Sequence, residues 1–262
     1  SIDMVFGDPD YNVGVKYGDT TYVRDFDEYL EWYIELAKES MRVLKNEGNL
    51  FMMNYPKQNA HMRVKFLDDN AYDVQDYVWI YNTNVGHSPR RFTTAHRSIL
   101  HATKSKDNKF YKDNVAVPYQ NPTDKRIQGR IAAGHLGRMP YSWFYFDLVK
   151  NVSKDKTFHS CQIPLKLVEM LIKSCTQEGD DVFILFGGSG SELFTCKDLK
   201  RNYISCELHP DYYKMIIDRL ENNGKIKDEF RLDFIQQKNG QTLPIELNLF
   251  SGQYEAQRNN KG

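Results

Sequence analysis

Val182-Phe183-Ile184-Leu185-Phe186-Gly187-Gly188-Ser189-Gly190-Ser191 is the stretch whose reading decides the fold. The apolar run is too short for a helix and ends in glycines, so it predicts a buried strand running into a tight turn. A helix is expected from Ser191. Strand, glycine turn and helix form the arrangement in which backbone comes close to a ligand, because glycine lacks the Cβ that would hold the ligand away. Downstream, 203–207 reads as the next strand and ends on Glu207. Pro210 then opens a helix whose Tyr213, Ile216, Ile217 and Leu220 are expected to face inward.

Working upstream, a helix carries Leu165, Val168, Leu171, Ile172 and Cys175. At the start of the chain, Ile2, Met4, Val5 and Phe6 predict another strand, closed by Asp8-Pro9-Asp10-Tyr11. Asp25 and Asp27 stand where acids favour a helix start. Phe26, Tyr29, Leu30, Tyr33, Ile34, Ala37, Met41 and Leu44 follow at helical spacing. Gly48 reads as the helix stop, and 49–54 as a buried strand. A helix around 60–69 and a strand around 74–81 continue the alternation. The middle is irregular: a loop at 82–91, a strand at 98–103, a polar basic stretch at 104–139 and an aromatic, strand-like segment at 141–149. Strand-helix alternation of this kind predicts an α/β fold, doubly wound on a mostly parallel sheet.

The 262 residues suffice for one large domain with an insertion, and the formal net charge is +0. Charge is nonetheless uneven. Arg90, Arg91, Arg97, Lys109, Lys125, Arg126, Arg130, Lys156 and other bases crowd 90–156, while the first seventy residues lean acidic. A neutral protein can offer one face to a polyanion in this way, although such runs are also often merely solvated. Cys161, Cys175, Cys196 and Cys206 have neither metal-ligand nor disulfide spacing, and no signal peptide or membrane-length apolar run is present. A cytoplasmic location is therefore expected. The chain opens inside a strand, so an upstream segment is expected too. His87, His96, His101 and His135 lack partners at ligand spacing, so no metal is expected and a surface or DNA-facing place is.

The chemistry of the two turns is complementary. An exocyclic amine on a nucleobase is a poor nucleophile, and attack requires acceptors on both of its hydrogens. Asp8 offers a carboxylate, Pro9 a stiffened turn with a main-chain carbonyl, and Tyr11 a ring on which an extruded base can stack. Glu207, ending the strand after the glycine turn, is placed to bond ribose hydroxyls. No Gly-Lys-Ser/Thr follows the glycines, so a phosphate-binding P-loop is not expected and a cofactor without phosphates fits better.

With these motifs in this order, the chain resembles the β-class S-adenosylmethionine-dependent DNA amino-methyltransferases of restriction-modification systems. Asp8-Pro9-Asp10-Tyr11-Asn12 is similar to the family's Asp-Pro-Pro-Tyr turn. His159-Ser160-Cys161-Gln162-Ile163-Pro164-Leu165 is similar to its His-Pro-Thr-Gln-Lys-Pro-Leu segment, and Phe186 to Gly190 to its Phe-x-Gly-Ser-Gly loop. Arg90-Arg91-Phe92-Thr93-Thr94 is similar to the Arg-Arg-Phe-Ser-Thr stretch before target recognition. The catalytic turn comes first and the cofactor loop last, which is the β-class order. The resemblance implies a Rossmann-like class I methyltransferase fold with an inserted target-recognition region. It implies a catalytic half at 1–103, the insertion at 104–158 and a cofactor-binding half at 159–224. For the extension at 225–262 it implies no role.

The resemblance implies N6 methylation of adenine in double-stranded DNA after base flipping. Asp8, Pro9, Asp10 and Tyr11 would be catalytic. Asp8, Gln162, Pro164, Phe186, Gly188, Ser189, Gly190 and Glu207 would hold S-adenosylmethionine. Arg90, Arg91, Thr93, Lys125, Arg126 and Arg130 would meet DNA. An initial Asp in the turn is similar to the adenine enzymes, and no cysteine stands in the Pro-Cys context that ring-carbon methylation requires. Cytosine N4 methylation on the same fold and a catalytically inactive DNA- or cofactor-binding subunit remain as alternatives. Expected partners are DNA, a second copy of the chain and a cognate restriction endonuclease, with no membrane. The departures are Asp10 for the second proline, Ile184-Leu185 for an Asp-Pro before Phe186, Ser191-Glu192 for Thr-Thr, and Ser160, Cys161 and Ile163 for the Pro, Thr and Lys of the middle segment. The first adds a carboxylate near the amine pocket; the second removes an acceptor for the cofactor.

Overall fold

β1 (Ile2–Gly7) is the axis of the sheet, and its side chains alternate between two cores. Met4 and Phe6 point to one face and Val5 to the other, as the two-residue period of a strand dictates. The computed structural model describes residues 1–18, 20–82, 89–151 and 153–238. Chain order adds β2 (Lys16–Tyr17), β3 (Thr20–Thr21), β4 (Leu44–Asn54), β5 (Asp73–Ile80), β6 (His96–Thr103), β7 (Trp143–Tyr145), β8 (Asp181–Ile184) and β9 (Asn202–Ser205). The seven-stranded sheet has the order β7-β5-β6-β4-β1-β8-β9, and β2 and β3 form a separate hairpin. β4, β1, β8 and β9 are mutually parallel, β7 is parallel to β5, and β6 runs antiparallel to both its neighbours. The fold is the expected class I methyltransferase type: α/β, doubly wound and mostly parallel.

The helices are α1 (Phe26–Val43), α2 (Pro56–Met62), α3 (Asp68–Asn70), α4 (Lys125–Ala132), α5 (Leu165–Cys175), α6 (Ser191–Asp198), α7 (Pro210–Glu221) and α8 (Leu232–Lys238). Asp25 caps α1 by accepting the Asp27 N–H at 2.8 Å. Tyr29, Leu30, Tyr33, Ala37 and Met41 of α1 pack with Val5, Leu50 and Met52 on one face of the sheet. Leu167, Val168, Leu171 and Ile172 of α5 pack with Phe6, Phe51 and Ile184 on the other.

The chain leaves β1 toward β4 and leaves β8 toward β9, on opposite sides. Such a switch point opens a crevice at the carboxyl ends of the two strands, where ligands of open α/β sheets bind. The Leu185 N–H donates to the Phe6 carbonyl at 3.0 Å, so the pairing persists to the point where both turns begin.

Several local expectations are corrected. Gly48 does not end a helix: α1 stops at Val43, the chain passes directly into β4, and a Cβ at Gly48 would lie 2.8 Å from Leu44 Cδ2 and 3.0 Å from the Asp3 carbonyl. The helix expected at 60–69 is α2 continued by a π turn (Arg63–Leu67) and α3. Only Trp143–Tyr145 of the 141–149 segment is strand, and the 104–139 stretch contains α4. On α7 the inward face is Tyr212, Met215, Ile216 and Arg219, leaving Tyr213 56% and Ile217 36% exposed. A buried arginine reads as polar, which rotated the apparent face.

The basic segment is also less exposed than its composition implies. Arg97 and Lys156 are buried, and Lys109 is drawn to buried Asp3 (3.0 Å) and to Glu47 (3.1 Å). His101 is no surface residue: it stacks on Phe51 and bonds Asn49 Oδ1 at 2.8 Å. Burial pushes its pKa down to about 4. Much of the 82–91 loop with His87, and the tail from 239 onward, lie outside the described residues. The described part of the tail folds back: Phe158 N–H donates to the Phe230 carbonyl at 3.0 Å, and Thr157 pairs with Arg231.

Candidate active site

β1 and β8 deliver their turns side by side, although some 180 residues separate them in sequence. Between them lies a cavity of about 320 Å³, a size suited to a small organic ligand. Asp8, Pro9 and Asp10 line it from the first turn; Phe186, Gly188 and Ser189 from the second; Glu207 from beyond β9.

The turn at 8–11 is held from every side. The Tyr11 hydroxyl donates to Asp8 Oδ1. Tyr11 is 6% exposed; its ring meets Tyr55 edge-on, and its carbonyl accepts from Gln58 Nε2 at 2.8 Å. The Tyr29 hydroxyl donates to the Asp10 carbonyl at 2.6 Å and itself accepts from Asn54 Nδ2 at 2.8 Å. Asn12, in the left-handed region at φ 56°, exchanges two hydrogen bonds with the Arg24 backbone. Among the described residues no donor reaches the Pro9 carbonyl, while its neighbours at Asp10 and Tyr11 are taken. Asp8 and Pro9, both in the cavity wall, thus offer one side-chain and one main-chain acceptor at this turn.

Burial pushes the Asp8 pKa up to about 7, against the opposing pull of the Tyr11 hydroxyl and the Arg97 guanidinium. Asp10 is raised as well, mainly by burial, with the Asn12 N–H and Arg24 opposing. Arg97 is a site residue that the sequence pattern did not single out. It lies 4.0 Å over the Tyr55 ring and 5.2 Å from that of Tyr11, and it donates to the Tyr81 hydroxyl. Its signal is an arginine at the head of an apolar strand, hidden by the basic run around it.

The glycine turn is shaped by backbone. Gly188 and Gly190 have φ of 51° and 72°, which L side chains rarely adopt. At Gly187 a Cβ would meet Ile216 Cδ1 at 2.8 Å. Glu207 uses both carboxylate oxygens to hold this turn, accepting from Gly188 N–H and His209 N–H at 2.8 Å each. Arg219 supports the turn from behind, donating to the Ser189 carbonyl at 2.8 Å.

The middle motif behaves differently from its neighbours. Gln162 spends its amide on the preceding loop, accepting from Thr157 N–H (3.0 Å) and Oγ1 (3.1 Å) and donating to the Asp155 carbonyl (2.8 Å). Pro164 caps α5. Neither is in the cavity wall, nor is Gly190; His159 and Cys161 form the wall there, with Tyr17 and Tyr212 against His159. Burial raises the Cys161 pKa, the opposite of the lowering that marks a nucleophilic cysteine. The buried Lys156 amine donates to the His159 carbonyl at 2.6 Å, and burial lowers its pKa to about 8.

Of the residues expected to meet DNA, Arg90 and Arg91 are exposed and Thr93 half-buried ahead of β6; Lys125, Arg126 and Arg130 project from exposed α4. The structure brings neither group to the cavity wall.

Comparison with known proteins shows the family. A family model described as DNA methylase matches residues 2–218. The chain belongs to the DNA methylase family. It is 31% identical over 227 residues to the type II methyltransferase M.HpaI of Haemophilus parainfluenzae, covering 85% of this chain and 69% of that protein. Among solved structures, the M1.HpyAVI–SAM complex superposes with a TM-score of 0.58 at 23% identity, covering 84% of this chain and 89% of that one. The PvuII cytosine-N4-specific methyltransferase gives 0.63 at 18% identity, with 95% and 89% covered. This DNA methylase is an S-adenosylmethionine-dependent DNA amino-methyltransferase. The cavity fits that cofactor: a left-handed glycine turn admits close approach, an acid closes one end, and no phosphate cradle is present among the described residues. Among the described residues no helix is long and apolar enough to cross a membrane.

Proposed function

We propose that the chain transfers the methyl group to N6 of adenine in duplex DNA, with the base flipped into the cavity. The observation that carries this reading is the Asp8 carboxylate beside the unoccupied Pro9 carbonyl, two acceptors on residues of the cavity wall that the glycine turn completes. S-adenosylmethionine, when bound, supplies an electrophilic methyl on a sulfonium. Asp8 and Pro9 accept the two amine hydrogens and aim the nitrogen lone pair. Asp8, with a pKa near neutrality, is suited to take the proton that the amine loses. Tyr11 supports Asp8 through its hydroxyl and does not offer the expected stacking ring, which is buried against Tyr55 outside the cavity wall, and Asp10 places a second carboxylate in the wall. Phe186, Gly188, Ser189 and Glu207 serve the cofactor from the wall, while Gln162, Pro164 and Gly190 act by shaping the segments on either side. Transfer is direct, from the sulfonium to the nitrogen, with no covalent enzyme intermediate. An aspartate opening the turn favours adenine over cytosine N4.

Residues 104–158 serve target recognition between a catalytic half at 1–103 and a cofactor half at 159–224. Arg90, Arg91, Thr93, Lys125, Arg126 and Arg130 meet the duplex, mainly at phosphates. Replacing Lys125, Arg126 and Arg130 together by alanine should flatten the salt dependence of DNA binding by about 0.9 log units for each phosphate no longer neutralised. A homodimer, a cognate restriction endonuclease and a cytoplasmic location complete the proposal. The deciding experiment is transfer from labelled S-adenosylmethionine to unmethylated genomic DNA, with nucleoside mass spectrometry. N6-methyladenine is expected; N4-methylcytosine would overturn the base assignment, and no modified nucleoside would overturn the activity.

A further inference from the structure

Glu192 stands in the first turn of α6, immediately after the glycine turn. It is 5% exposed, yet it lines the cavity together with Asp8 and Ser189. Among the described residues no basic side chain forms an ion pair with it. Arg219, its favourable charge from α7, is committed to the Ser189 carbonyl at 2.8 Å and the Ser191 hydroxyl at 3.1 Å. The other titratable groups that act on it are Asp8 from the end of β1 and Cys196 from the next turn of its own helix.

An acid in the first turn of a helix is ordinary when solvated, since it complements the helix dipole. A buried one without a cation is costly. Burial first, and then the charge of Asp8, push the Glu192 pKa up to about 8. A cation arriving in the cavity would remove that penalty by pairing with the ionised form. At the end of β8, where the resemblance leads one to expect an acid, Ile184 is 1% exposed in the core and offers no acceptor.

We propose that Glu192 is the counter-charge for the cationic methionyl arm of S-adenosylmethionine, supplying from α6 the carboxylate that β8 lacks. The inference rests on the cofactor lying in the cavity between the two turns. Glu192 is thereby a cofactor-binding residue, and without ligand it is held as a buried acid.

The test is calorimetric titration of the full chain, wild type, Glu192→Gln and Glu192→Asp, with S-adenosylmethionine and with S-adenosylhomocysteine. Glu192→Gln keeps the shape and removes the charge. It is expected to weaken S-adenosylmethionine by at least ~10-fold, as removing a charge-assisted hydrogen bond does, with an undiminished Tm, and Glu192→Asp to recover part of the affinity. Weakening confined to S-adenosylmethionine assigns the interaction to the sulfonium; equal weakening of both ligands assigns it to the ammonium. Gly190→Val, which obstructs the glycine turn, is run alongside. Unchanged affinity in Glu192→Gln with weakened binding in Gly190→Val overturns the role of Glu192 and leaves the cavity assignment standing. Unchanged affinity in both overturns the cavity assignment and the inference with it.

Discussion

The two turns that meet at the sheet's switch point are built by opposite means. The turn at 8–11 is a side-chain construction: Tyr11, Tyr29, Gln58, Asn54 and Arg97 position a carboxylate that titrates near neutrality. The turn at 186–190 is a backbone construction, with left-handed glycines secured by Glu207 and Arg219. Chemistry that moves a proton needs a group whose pKa can be tuned, and only side chains provide one. Close approach to a ligand needs the absence of side chains, and glycine provides that. The first turn should therefore govern turnover and its pH dependence, and the second cofactor affinity.

The sharpest way to break this contrast is Asp8→Ala. Turnover should fall by ~10³ or more, since removing one preorganised group that stabilises the transition state costs roughly 10²–10³ by itself. Single-turnover methylation of DNA checks it, and near-normal rates would remove Asp8 from the chemistry. Next in size is Gly190→Val in the other turn. Its φ of 72° strains any L residue, and a Cβ would already sit 3.2 Å from Ile216 Cγ1. A strain of about 1–2 kcal/mol corresponds to roughly a tenfold weakening of cofactor binding with a lowered Tm, read by titration and melting. The contrast fails if turnover at saturating cofactor falls instead.

The pH profile sharpens the contrast further. Asp8 can take up the amine proton only as the carboxylate, and its pKa is raised to about 7. With cofactor saturating, kcat/KM for DNA should rise about tenfold per unit below pH 7 and level off above it. The sign for stability is the reverse. The folded state holds this proton more tightly than the unfolded chain, so the Asp8 contribution to stability is lost as pH rises from about 4 to about 7. A rate that falls between pH 6 and 8 would contradict the assignment. The smallest effect is expected from Tyr29→Phe. It removes the 2.6 Å bond to the Asp10 carbonyl, worth about 1 kcal/mol, and should cost turnover several-fold while leaving cofactor affinity intact.

The legible parts of the molecule are those whose cause is local. The alternation along β1, the N-cap at Asp25, Pro210 at the start of α7 and the glycine turn each depend on residues within a few positions, so their patterns are visible in the chain. Where polar residues are buried, pattern and structure part. Arg219 rotates the apparent face of α7, and Arg97, Lys109 and Lys156 are indistinguishable by composition from surface bases. Gly48 looked like a helix stop because close packing against β1 leaves no local trace. Gln162 matched its motif, yet its amide faces a loop rather than the cavity.

The order of residues along the chain was enough for the two turns, their succession, the α/β class and the family resemblance, because backbone preference and periodic burial are properties of neighbours in sequence. Tertiary packing was needed to establish that the turns share one cavity, that Tyr11 and Arg97 flank Asp8, and that Glu192 is buried without a cation. Those facts depend on parallel strands pairing across some 180 residues. Which charged groups such pairing desolvates is set by what packs against them from far away.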